Sequence, residues 1–98
     1  MTLEIKKTAQ EIVIEVVGRL DTVTAPALEK AIAEDVRDDD HLILDIRGVE
    51  YISSAGLRVL LGAQKKLQKT GSMKVVHVCE SVMEVFEITG FADILTIE

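Results

Sequence analysis

Two spacings of apolar residues alternate along the chain, and this alternation restricts the fold more than any other feature. Apolar residues recur at every second position over residues 3–5 and 12–16, which is typical of two strands joined as a hairpin, with a tight connection predicted at Thr8-Ala9-Gln10. A spacing of four follows over residues 28–36, after Thr24-Ala25-Pro26, where threonine is a suitable cap and proline is tolerated in the first turn. The chain therefore begins with the order strand, strand, helix.

The segment that follows contains a continuous apolar run, Leu42-Ile43-Leu44, which leads into Asp45 and Ile46. A run of this kind predicts a strand that is buried on both faces of a sheet. A second helix is predicted from Ser53 and Ser54 onward, with Leu57, Leu60, Leu61 and Leu67 facing inward.

The remaining third of the chain repeats the alternation with a strand at 73–78, a helix that Gly90 stops, and an edge strand at 95–97. The resulting order, ββαβαβαβ, predicts an α/β fold in a single domain over residues 1–98. We expect a mixed sheet of about five strands, with an opening antiparallel hairpin and three main helices.

The charge balance excludes several classes of function. The formal net charge is −6, and an acidic surface repels phosphate backbones and anionic lipid, so neither nucleic acid nor a membrane surface is an expected partner. The single cysteine, Cys79, cannot form an internal disulfide, which fits a reducing cytoplasm. No uncharged run approaches the ~18 residues that a membrane helix requires, and the N-terminus has no signal-peptide pattern.

The common motifs of enzymes and cofactor-binding proteins are also absent from the sequence. It contains no glycine-rich nucleotide loop, no Cys-x-x-Cys and no His-Glu-x-x-His. His41 and His77 belong to different predicted strands, and no further ligands accompany them, so no metal site is predicted. Cys79 is interpreted as a small buried residue because no base for its thiol can be identified. We therefore expect no cofactor and no catalysis.

One segment, residues 52–58, combines several features of a functional site. Ser53 and Ser54 open the second helix, where unpaired N–H groups and the helix dipole favour an anion such as phosphate. The structural alternative is that a serine simply caps the helix, since serine is among the best N-caps. Gly56, in the first turn, costs about 1 kcal/mol relative to alanine, which suggests the close approach of another backbone or of a partner.

A second segment, Gly18-Arg19-Leu20-Asp21-Thr22, leaves the second strand and precedes the first helix. Loops at the carboxyl ends of strands gather at one edge of an α/β sheet, so we expect Asp21 to lie near Ser54. The alternative is that Asp21 or Thr22 caps the first helix.

Taken together, these segments resemble the anti-sigma factor antagonists, which are single-domain members of the STAS family. The resemblance covers nearly the whole chain and depends on four matches in the family order. They are Gly18-Arg19-Leu20-Asp21-Thr22, Leu42-Ile43-Leu44-Asp45, Ser53-Ser54-Ala55-Gly56-Leu57 and Thr89-Gly90-Phe91.

The resemblance implies a role in bacterial partner switching. The unphosphorylated antagonist binds an anti-sigma factor that is also a serine kinase, and this binding frees the sigma factor. The kinase phosphorylates the antagonist and so releases it, and a phosphatase resets the cycle. The family's acceptor position corresponds to Ser54. The residue before it is usually aspartate and here is Ser53, which leaves Ser53 as an alternative acceptor.

We expect the partner to bind where the Asp21 loop meets the start of the second helix. The expected contact residues are Asp21, Thr22, Ser53, Ser54, Gly56, Leu57 and Arg58.

Three other functions remain open from the sequence. One is a STAS module of another signalling pathway, linked to a response regulator or to a stress-sensing assembly. Another is a small enzyme with Ser54 as nucleophile, which requires a base within about 3 Å and offers only His41 and His77 as candidates. The last is a structural subunit that associates with itself.

Overall fold

The computed structural model describes residues 1–9 and 11–98. The elements alternate as the spacing of apolar residues predicts. They are β1 (Thr2–Lys7), β2 (Glu11–Val17), α1 (Ala25–Asp35), β3 (His41–Gly48), α2 (Ser54–Leu67), β4 (Ser72–Val76), α3 (Glu80–Thr89) and a short 3₁₀ turn (Phe91–Asp93).

The sheet has the strand order β1-β2-β3-β4 and is mixed, which confirms the prediction. β1 pairs with β2 in antiparallel orientation, whereas β2, β3 and β4 are parallel neighbours. In the hairpin turn, the N–H of Thr8 donates to the carbonyl of Glu11 at 2.9 Å. The turn was predicted over Thr8, Ala9 and Gln10, of which Gln10 lies outside the described residues.

The predicted fifth strand at 95–97 is reduced to a single bridge between Val75 and Ile97. Val75 donates its N–H to Thr96 at 2.8 Å and accepts the N–H of Glu98 at 3.0 Å. The preceding residues form the 3₁₀ turn that buries Leu95, so only a short stretch runs beside β4. The prediction of about five strands was therefore too high by one.

The prediction that β3 is buried on both faces was wrong. Leu42, Leu44 and Ile46 are almost fully buried, but Ile43 and Asp45, which point to the opposite face, are only half-buried. The buried residues of all three helices belong to the same core cluster as this buried sheet face. The helices therefore cover one face, and the other face of the sheet remains open.

Each helix is anchored to the core by residues at helical spacing. In α1 these are Leu28 and Ile32, and in α3 they are Val82 and Phe86. In α2, Leu57, Leu60 and Leu67 are buried as predicted, whereas Leu61 is half-buried and Val59 and Ala63 are buried as well. Gly90 ends α3 in the left-handed conformation, with φ of 83°.

Among the residues that the structure describes, no helix is both long enough and apolar enough to cross a membrane.

Candidate functional site

Two loops meet at the carboxyl edge of the sheet, as predicted for the segments around Asp21 and Ser54. Leu20 and Ile52 form an isolated parallel bridge beyond the ends of β2 and β3. The N–H of Leu20 donates to Tyr51 at 3.0 Å, and the N–H of Ser53 donates to Leu20 at 2.9 Å. The backbone of one loop is therefore fastened directly to the start of α2.

The two serines occupy different positions at this helix end. Ser53 is the N-cap of α2, with extended backbone, and its hydroxyl accepts the N–H of Gly56 at 3.4 Å. Ser54 is the first helical residue and is exposed. Within residues 1–9 and 11–98 the structure records no hydrogen bond from the Ser54 hydroxyl. Ser53 thus accepts one of the free N–H groups at the start of α2, whereas Ser54 is exposed to solvent.

Gly56 serves an internal contact. It is buried, and a Cβ at this position would meet Cγ1 of Ile52 at 2.8 Å, Cγ of Leu20 at 2.9 Å and the carbonyl oxygen of Leu20 at 3.1 Å. The close approach inferred from the sequence is therefore that of α2 to the Leu20–Ile52 bridge. Leu57, next along the helix, is also buried.

Replacing Gly56 by alanine is expected to lower the free energy of unfolding by about 1–2 kcal/mol. Overpacking a core costs about 1–3 kcal/mol, which exceeds the gain of up to about 1 kcal/mol from alanine in a helix. Gly62 is the matched control, because a Cβ there would have no described atom within 4 Å apart from its chain neighbours and the nearby backbone of its own helix. We expect Gly62→Ala to be stabilising in the same urea titration. Equal stabilisation by both substitutions would contradict the close packing at Gly56.

Asp21 organises the loop before α1. Its Oδ1 accepts the N–H of Val23 at 3.0 Å and, from Thr24, the N–H at 3.1 Å and the hydroxyl at 3.2 Å. The N–H of Thr24, together with the Thr24 hydroxyl and the N–H of Val23, holds the pKa of the Asp21 carboxyl below its ordinary value. The alternative that Asp21 or Thr22 caps the first helix was therefore wrong, because Asp21 binds loop residues before α1 and the N-cap position is occupied by Thr24.

The prediction that Thr24 caps α1 through its side chain was wrong. Thr24 is the residue before the helix, but its side chain makes no capping hydrogen bond. The hydroxyl instead donates to the carbonyl of Arg19 at 2.7 Å, which closes the loop. The backbone of Thr24 is in the right-handed helical region and not in the extended conformation usual for an N-cap, and Pro26 has no N–H to donate to its hydroxyl.

A contact that the sequence did not predict joins the two loops through side chains. The guanidinium carbon of Arg19 lies 4.1 Å from the centre of the Tyr51 ring, and its Nε lies 3.6 Å from Oδ2 of Asp21. The Arg19 side chain is largely exposed and Tyr51 is 43% exposed. A cation–π contact at an exposed site contributes only about 0.5–1 kcal/mol. Arg19 is quoted in the sequence motif, but no local pattern indicates its pairing with a residue so distant along the chain.

A shallow pocket of about 250 Å³ lies between α1 and α2, and Ser54 is not among the residues that line it. Thr22 and Arg58, which are both exposed, lie on its wall. Its lining consists of Thr22, Ala25, Pro26, Glu29, Ala55, Arg58 and Val59. The structure therefore brings the Thr22 loop and the first turns of α2 to one continuous surface.

Comparison with known proteins agrees with this architecture. The family model of the STAS domain matches residues 2–98. The chain belongs to the STAS domain family. Its relatives include the anti-sigma-B factor antagonist of Listeria monocytogenes, 34% identical over all of this chain and 89% of that protein. The anti-sigma-B factor antagonist of Bacillus subtilis is 29% identical over 99% of this chain and 90% of that protein.

A solved structure supports the same assignment. The crystal structure of an anti-sigma factor antagonist from Mycobacterium paratuberculosis superposes with a TM-score of 0.87 at 32% identity, covering 98% of this STAS domain and 83% of that chain. The similarity therefore spans the sheet, the three helices and the loops that form the candidate site.

The histidines and the cysteine of this STAS domain, whose side chains could act in catalysis or metal binding, are hydrogen-bonded to residues other than Ser54. Nδ1 of His41 lies 2.7 Å from Oγ of Ser72, and His77 lies against Arg47 and Asp45. The hydroxyl of Ser81 lowers the pKa of the half-buried Cys79 thiol, which donates to the carbonyl of Val49 at 3.3 Å. Within the described residues, no group of three or more histidine, cysteine or acidic side chains could hold a metal ion.

Proposed function

We propose that this STAS domain is a non-catalytic anti-sigma factor antagonist that phosphorylation at Ser54 switches off. In its unphosphorylated form it binds an anti-sigma factor with serine kinase activity in the cytoplasm, which frees a sigma factor for transcription. The kinase transfers phosphate to Ser54, the antagonist dissociates, and a phosphatase restores it. The observation that carries the proposal is the exposed Ser54 at the start of α2, next to Ser53, whose N–H donates to the carbonyl of Leu20, in a chain whose relatives are named as such antagonists.

The different environments of the two serines favour Ser54 as the acceptor. Ser53 accepts the N–H of Gly56, and loss of an N-cap side chain costs about 1 kcal/mol. A kinase that modifies Ser53 therefore has to break the cap. Ser54 is already exposed and needs no rearrangement.

The expected contact residues divide into two groups. Thr22, Ser54 and Arg58 are exposed and can touch a partner directly. Asp21, Ser53, Gly56 and Leu57 are half-buried or buried, and they act mainly by holding the exposed residues in place. The proposed partner surface thus contains fewer residues than the set expected from the sequence.

The arrangement offers little support for a serine-dependent enzyme. A nucleophilic serine needs a base within hydrogen-bond distance. His41 instead lies against the hydroxyl of Ser72. His77 lies against the guanidinium of Arg47 and the carboxylate of Asp45. An exposed serine without a neighbouring imidazole is suited to being a substrate of another enzyme.

The proposal is tested with the purified protein and the anti-sigma factor kinase encoded in the same genome. We expect calorimetry to detect binding in the absence of ATP, and amide exchange of the complex to show protection at residues 18–24 and 51–58. The edge strand β1 serves as an internal control and should exchange equally in the free and bound forms. No binding, or a complex in which both loops exchange freely, would overturn the proposed function.

A further inference from the structure

We infer that Arg58 is the intramolecular counter-ion of a phosphate on Ser54. This inference rests on the proposed function, which makes Ser54 the phosphorylation site. The two residues are four apart in α2, so they lie on the same face of the helix in successive turns. Residues at this spacing have Cβ atoms about 5–6 Å apart, which a long arginine side chain readily spans.

The direction of the side chain favours the pairing. Side chains of an α-helix tilt toward its N-terminus, so Arg58 extends over the preceding turn, where Ser54 lies. An anion placed four residues before a cation is also the more favourable order of such a pair. Ser53 is less suited to pair with Arg58 for two reasons. It lies five residues before Arg58, and its hydroxyl already accepts the N–H of Gly56.

Arg58 is available for this role in the unphosphorylated protein. It is exposed, and within residues 1–9 and 11–98 none of the observed ion pairs involves it. Arg19 and Arg47, by contrast, already contact Tyr51 and His77. Among the described arginines at this surface, Arg58 can therefore turn to a new anion without losing an ion pair.

One acidic residue faces the same pocket and has to be considered as a competitor. Glu29 of α1 lines the pocket with Arg58, but the ion pairs observed among the described residues do not include one between them. A phosphate carries about −1.5 to −2 charge and can accept two parallel hydrogen bonds from arginine. The phosphate, with its higher charge and its position on the same helix face, should therefore capture Arg58.

The pairing gives phosphorylation a second effect on the partner surface. The phosphate adds negative charge at Ser54 and at the same time withdraws Arg58, which is one of the exposed residues of that surface. Arg58 is thus a positioning residue for the switched-off state. Its action does not require any change in the path of the backbone.

The pairing is tested with protein into which phosphoserine is incorporated at position 54 during synthesis, so that no kinase is needed. The measurement is a phosphorus NMR titration of the parent protein and of Arg58→Gln, Arg58→Lys and Arg37→Gln variants. We expect the midpoint to lie about half a pH unit higher in Arg58→Gln, since arginine stabilises the dianion. The midpoint of Arg58→Lys should lie between those of the parent and of Arg58→Gln. Arg37 is exposed, and the midpoint of the Arg37→Gln control should equal that of the parent.

Two further measurements separate pairing from a general change in the fold. The Nε–H resonance of Arg58 should move with the phosphate titration, and phosphoserine placed at position 53 should not respond to Arg58→Gln. Equal midpoints in the parent and in a folded Arg58→Gln variant would overturn the pairing. If the kinase labels Ser54 despite equal midpoints, only the pairing fails. If the kinase does not label Ser54 but the midpoints differ, only the proposed function fails.

Discussion

Replacing Leu44 by alanine is expected to lower the free energy of unfolding by about 2–5 kcal/mol. Leu44 has no exposed surface, and it lies in β3 between Ile14 of β2 and Val75 of β4, which are also fully buried. A residue enclosed in this way leaves a cavity when it is truncated, because the neighbouring strands cannot move in to fill the space. A urea titration followed by circular dichroism measures the loss.

The adjacent residue provides the control for this prediction. Ile43 lies in the same strand but points to the open face of the sheet and is half-buried. Ile43→Ala should therefore destabilise the protein clearly less than Leu44→Ala. A loss below about 0.5 kcal/mol for Leu44→Ala, which is typical of surface substitutions, would contradict the position of Leu44 in the core.

The comparison of Leu44 with Ile43 also shows how far the sequence predicts this fold. The spacing of apolar residues predicted the hairpin, the mixed sheet and all three helices, because apolar residues recur at different intervals in half-buried strands and in helices. The same pattern could not show that the helices cover only one face. A short apolar run such as 42–44 contains residues for both faces, and only tertiary packing decides which of them is enclosed.

The candidate site was predictable to a similar extent. Sequence position placed Asp21 and Ser54 at one edge of the sheet, and the bridge between Leu20 and Ile52 confirms that the two loops meet. The packing of Gly56 against that bridge and the stacking of Arg19 on Tyr51 join residues that are distant in sequence. The spacing of residues within one element does not predict contacts of this kind. For the same reason, the sequence could not distinguish an internal contact of Gly56 from contact with a partner.

Phosphorylation of Ser54 is expected to weaken binding to the anti-sigma factor kinase by ~100-fold or more while leaving the fold intact. The phosphate takes the formal net charge from −6 to about −8. At the first residue of α2 this charge is favourable by roughly 0.3–1 kcal/mol, because the exposed N–H groups and the helix dipole attract it. A partner that accommodates a neutral hydroxyl would instead have to desolvate a dianion, which costs several kcal/mol.

Substitutions of the two serines test whether the charge at Ser54 controls binding to the partner. Ser54→Asp should reproduce part of the loss of affinity in calorimetry, and Ser54→Ala should bind and remain bound in the presence of ATP. Ser53→Ala should still be phosphorylated, although it loses the cap to Gly56 and about 1 kcal/mol of stability. Phosphate mapped only to Ser53 would show that the acceptor is wrong. A phosphorylated form that melts well below the unmodified protein would show that the switch acts by unfolding the domain and not by charge at its surface.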